Sequence, residues 1–211
     1  ETLQSSLSDN DDKEAASQVV TAARSRLNML DAGVNIIEES LMATEAFLKA
    51  RSGWNAVINA DAAIREATAL AEEMSKENIL ASQAKGTEAL AFLEEAQQDF
   101  SQAEAAYPGL DLAAFEAYVV KRMESQQAAL AADDAYLSRN KEELEAQNSR
   151  YNALEEEAAA LAQELGEDDP EQIVALRFYK EIEADQGAYE AERLKAGNAD
   201  AFLREYLGTA S

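Results

Sequence analysis

The sequence predicts an all-α fold: an elongated antiparallel bundle of three long, coiled-coil-like helices with one or two shorter C-terminal helices. Three observations predict it. The 211 residues hold only 2 Pro and 8 Gly, far too little turn punctuation for a sandwich or an α/β sheet. Hydrophobic residues reach 47% but aromatics only 7%, because much of the apolar share is alanine, the strongest helix former. The remaining apolar residues recur at alternating steps of three and four, the period of one helix face.

Residues 1–11 read as a flexible tether and residues 12–211 as a single helical-bundle domain. Ser8, Asp9 and Asn10 are good cap residues, and Asp11 and Asp12 suit the positive end of a helix dipole. The first helix is expected over about 12–51. One of its stripes is Val20, Leu27, Val34, Leu41 and Leu48; the companion is Ala16, Ala23, Leu30, Ile37 and Thr44. Gly33 lies inside it as a candidate for a close helix crossing, and Ser52-Gly53 is the expected stop. The second helix is expected over about 54–106, with Lys85-Gly86-Thr87 as a break or a weak point, and Pro108-Gly109 ends it.

The third helix is expected from an Asp111 cap to Leu165, about 111–165, a length of roughly 80 Å at the α-helical rise. Met123, Leu130, Leu137, Leu144, Tyr151, Ala158 and Leu165 keep heptad spacing along it. Its companion stripe is polar over Gln126, Asp133, Asn140 and Gln147 before turning apolar at Leu154 and Leu161. Gly166 is the expected C-terminal cap. Asp169 should cap a fourth helix over about 170–196 with Pro170 first. Asn198 should cap a last one over about 199–207, whose Phe202, Leu203, Tyr206 and Leu207 read as a plug for the bundle end.

The composition also excludes functions. With 0 Cys and 0 His there is no Ser-His-Asp triad, no Cys-His pair and no His- or Cys-ligated zinc. A formal charge of −24, from 42 acidic against 18 basic residues, repels nucleic acid and anionic membrane surfaces. No stretch approaches the roughly 18 apolar residues of a membrane span.

The acidic runs Asp9–Asp12, Glu155–Glu157 and Glu167–Asp169 lack the ligand alternation and central glycine of a calcium loop. Neighbouring carboxylates on a helix fan outward and read as solvated faces. No catalytic residue, cofactor site or metal site is assigned. Trp54, the single tryptophan, reads as packing at a helix junction rather than as a ligand anchor.

The feature with the most functional content is the polar seam Gln126, Asp133, Asn140 and Gln147. It either faces a partner helix, fixing register and partner choice, or faces water. The expected function is a non-enzymatic helical interaction or scaffold protein, with a protein partner or self-association. The alternative is an acidic module that binds a basic peptide, a polyamine or a divalent cation. A start at Glu1 followed by a Ser/Asp/Asn-rich dozen fits a tether behind a removed leader or a lipid anchor and equally fits an ordinary frayed terminus; the expected setting is extracytoplasmic, periplasmic or at the cell surface, with a lipid anchor as one form.

Overall fold

The computed structural model describes residues 10–166 and 168–209; the tether read at 1–11 lies outside them except for Asn10 and Asp11, which are already helical. The fold is an all-α helical bundle, with no strand among the described residues. Among the described residues, five helices follow in order: α1 Asn10–Ala71, α2 Lys76–Ala106, α3 Ala113–Leu137, α4 Lys141–Leu165 and α5 Pro170–Thr209. Among the described residues, no helix is long and apolar enough to cross a membrane.

The helix limits correct the sequence reading at three places, Ser52-Gly53, the long third helix and Gly197-Asn198, and decide between the two readings of Lys85-Gly86-Thr87. Ser52-Gly53 does not stop α1. Gly53 is buried, and a Cβ there would lie 2.9 Å from Phe100 Cε1 and 3.2 Å from the Ala96 carbonyl oxygen. The glycine serves the approach of α2, not a turn. The chain turns instead at Glu72–Ser75. Met74 takes a left-handed φ of 49°, and the Ser75 hydroxyl caps α2 by accepting from the Asn78 N–H at 3.1 Å.

Lys85-Gly86-Thr87 stays helical. Thr87 donates to the Gln83 carbonyl at 2.8 Å, and a Cβ on Gly86 would lie 2.9 Å from Leu130 Cδ2. The long third helix is two helices, α3 and α4, because Arg139 enters the left-handed region at φ 57° and Asn140 caps α4. Gly197-Asn198 breaks nothing, and α5 is continuous.

Other termini follow the sequence. Gly166 ends α4 at φ 58°, and Asp169 accepts from the Glu171 N–H at 2.8 Å ahead of Pro170. The start of α3 does not: its cap position is Leu112, which makes no side-chain cap bond, and Asp111, one residue earlier, accepts from the Ala113 N–H at 3.1 Å.

The chain forms two compact units, residues 1–41 with 177–211, and residues 42–176. In the first unit, α1 and α5 run antiparallel. Arg26 Nη2 pairs with both carboxylate oxygens of Asp200 at 2.7 Å, and Tyr206 donates to Asp12. Lys195 and then Ser25 hold the Glu192 carboxyl below its ordinary value, so Glu192 also ties α5 to α1. Most of the buried side chains among the described residues are small, Ala15, Ala22, Ser25 and Ala32 from α1 and Ala196 and Ala199 from α5, and Ile182 is the large exception. Phe202 and Leu203 are half-buried and Leu207 is exposed, so they do not form the expected plug.

The second unit holds the larger core. Leu93, Phe100, Leu112, Phe115 and Val119 are fully or almost fully buried, and Ala46, Ala50 and Ala60 are buried beside them on α1. Trp54 is mid-helix, not at a junction. Its ring meets Phe115 edge-on with centroids 5.5 Å apart, the favoured aromatic geometry.

Candidate functional site

The heptad stripe of α1 does not face a neighbouring helix. In the first unit, Leu27, Leu30, Val34, Ile37 and Leu41 are 50–67% exposed, whereas the buried positions of the same helix segment are Ala15, Ala22, Ser25 and Ala32. At about 100° per residue, the aliphatic stripe and the small-residue face lie on opposite sides of the helix. α5 takes the narrow face because alanines let helices approach closely; the face with the larger hydrophobic surface is left in water. Two flanks border it. One carries Arg24, Asp31 and Glu38, and the other Arg26, Gly33 and Ser40. A Cβ on Gly33 would meet nothing within 4 Å, so the close crossing read there is absent. In the second unit, Leu48 is exposed as well.

The polar seam is not one surface. Gln126 and Asp133 lie on α3 and meet α2: Gln126 is buried against Gly86, and Ser82 donates to Asp133 at 3.0 Å. Asn140 is exposed and serves as the N-cap of α4, accepting from the Glu143 N–H at 3.2 Å. Gln147 is half-buried on α4 and donates to Glu143 at 2.7 Å. The break at Arg139 separates the first pair from the second. Burial pushes the Asp133 carboxyl above its ordinary value, a shift the Ser82 hydroxyl opposes and Asp134 reinforces. Gln126 and Asp133 also line a cavity of about 140 Å³, with Ser82, Thr68, Asn148 and Tyr151 supplying further polar groups.

Sequence reasoning missed a charge network in the second unit. Arg122 on α3 is only 9% exposed. Its Nη1 donates to both Glu155 oxygens on α4 at 2.7 and 2.8 Å, while Nη2 and Nε donate to Asp61 Oδ1 on α1 at 2.6 and 3.2 Å. Ser125 adds a donor to Glu155 at 2.6 Å. Burial pulls the Arg122 pKa down, but Asp61 and Glu155 outweigh it and hold the guanidinium above its ordinary value. Burial, then the Asp61 charge, raises the nearby Tyr118 hydroxyl; burial, then Glu155, raises that of Tyr151. The donors that occupy Glu155 and Asp61 make this a fastener of three helices. Its sequence signal was Arg122 on a buried stripe with no acid at helical spacing on its own face.

A cavity of about 390 Å³ lies where the 72–75 and 138–140 turns meet, joined by the Tyr136 hydroxyl donating to the Met74 carbonyl. Lys76, Arg139 and Lys141 line it, with Lys141 paired to Glu145 at 3.5 Å. Among the described residues, no group of three or more potential metal-ligating side chains converges. Comparison with protein-family models, curated proteins and solved structures gave no match.

Proposed function

We propose that the chain is a non-enzymatic helical interaction protein that docks another helix on the outward face of α1. The observation that supports this is the exposure of Leu27, Leu30, Val34, Ile37 and Leu41 at unbroken heptad spacing. Full burial of such a side chain is worth about 1.5–3 kcal/mol, so half to two-thirds of that, over five residues, leaves about 4–10 kcal/mol of apolar transfer from covering the stripe, before the costs of association. That is comparable to the whole stability of many domains, and contiguous exposed apolar surface of this kind marks interaction sites.

Substitution tests the reading. Leu27, Leu30, Val34 and Ile37 changed singly to Gln should each move the stability of the dilute chain by less than about 0.5 kcal/mol in urea unfolding. Losses of about 2–5 kcal/mol each would mean that the stripe is core, and the docking surface would be withdrawn.

A further inference from the structure

We propose that the occupant of the α1 stripe is a second copy of this chain, aligned parallel and in register. The inference rests on reading the stripe as a docking surface and goes beyond it by naming the partner and its direction.

Three arguments select the second copy. The first is pattern. Leu27, Val34 and Leu41 alternate with Leu30 and Ile37 at steps of three and four, and two helices each carrying such a seam interlock knobs into holes. Because the stripe lies opposite the small-residue face that holds α5, two such helices can meet without displacing either copy's α5 within the first unit.

The second argument is charge. In a parallel, in-register pair, each residue of the Arg26 flank faces the residue five positions on in the second copy. Arg26 then faces Asp31, and Gly33 faces Glu38, so no like charges meet. Arg26 uses a single nitrogen, Nη2, for Asp200, and a guanidinium has five donors. Antiparallel pairs centred on the stripe bring acids together in both registers: Asp31 meets Asp31 while Arg24 meets Glu38 on either side, or Asp31 meets Glu38 twice, so the parallel pair is favoured as the arrangement in which no like charges face each other.

The third argument is area. Five aliphatic side chains, each with roughly 100 Å² open, offer about 500 Å² per copy and about 1,000 Å² for a pair, the low end of specific interfaces. The dimer is therefore concentration-dependent. Two chains of charge −24 also repel each other over a Debye length. Added salt screens that repulsion without weakening apolar contact, so association should tighten as salt rises. A basic helix drawn to the same acidic surface would bind more weakly as salt rises.

The test is sedimentation equilibrium of the full chain over a range of concentrations at low and physiological salt, with thiol cross-linking. The natural sequence has no cysteine, so Leu27→Cys and Leu41→Cys each carry a single thiol. The expected result is a dimer that tightens with salt, weakens at least tenfold in the Leu30→Glu/Val34→Glu variant with helicity retained, and yields disulfide-linked homodimers from either cysteine variant alone. Cross-links formed only in a mixture of the two variants overturn the parallel arrangement. A monomer at all concentrations overturns self-association. In that case a polarity-sensitive fluorophore on Val34→Cys separates the two readings: a water-exposed signal leaves the docking surface open to a different partner, and a buried signal removes the docking surface too.

Discussion

Nη1 of Arg122 lies 2.7 Å from one carboxylate oxygen of Glu155 and 2.8 Å from the other, so a single nitrogen of α3 holds both oxygens of a side chain on α4. The opposite side of the same guanidinium holds Asp61 of α1. Removing the cation leaves two carboxylates facing each other across a nearly buried gap.

Arg122→Met should therefore destabilise the chain. Breaking a buried ion pair by deleting one partner costs about 3–5 kcal/mol. The side chains of Asp61 and Glu155 keep 28% and 31% exposure, so solvent screens part of this, and about 2–3 kcal/mol is expected from urea unfolding. Arg122→Lys keeps the charge but loses donors directed at both sides and should fall between the two. A Met variant as stable as the wild type would show that the network holds nothing.

Asp133 supplies a pH test. Burial raises its folded pKa above the ordinary 3.8, so folding favours the protonated form. Its stabilising contribution is fully present below pH 3.8, and is lost as pH rises through the raised folded value. Asp133→Asn keeps an oxygen for the Ser82 hydroxyl and carries no charge. It should melt above the wild type at pH 7, and the gain should shrink as both are taken down toward pH 3.8. An equal gain at both pH values would count against burial of the charge as the cause.

Asn140 separates capping from partner choice. Its side chain accepts the Glu143 N–H at the start of α4, and Asn→Ala at an N-cap costs about 1 kcal/mol. Asn140→Ala should lose that amount in denaturant melts, Asn140→Asp should retain the stability, and neither should change the association state by sedimentation. A change in association would return Asn140 to an interface.

The all-α class was legible because alanine, glutamate and leucine dominate and breakers are scarce; the limits were not, because the two missed turns contain neither Gly nor Pro. Met74 and Arg139 occupy left-handed backbone, and no residue-type rule selects either for it. What the sequence did hold was weaker: Ser75 ahead of Lys-Glu-Asn and Asn140 ahead of Lys-Glu-Glu, each a cap residue before an acidic first turn. Gly53 misled in the opposite sense, and Gly86 left two readings open, since a glycine that admits a neighbouring helix has the same letter as one that ends a helix.

The candidate site was half legible for a related reason. The heptad of Leu27 to Leu41 marks side chains that gain by burial, but hydrophobicity does not say which helix supplies the cover. Ala15, Ala22 and Ala32, outside both apolar stripes of the sequence, are the buried positions of this segment. Arg122 could not be matched to Asp61 and Glu155, 61 and 33 residues away, because such pairing exists only once three helices are assembled.

The alanine seam between α1 and α5 in the first unit acts as a size filter. Where contact is made by methyl groups, any competing helix with a larger side chain at one of those positions is held at arm's length along its whole neighbourhood and forfeits the close contacts on either side. At the positions of Ala196 and Ala199 a bulkier side chain would be held off in this way, and α5 carries its larger Ile182, Phe202 and Leu203 at other positions. On the proposed reading, one helix would carry two mating surfaces with different steric demands, a tight one lined by alanine and a wide one lined by leucine, valine and isoleucine, so the two associations need not compete for the same partner.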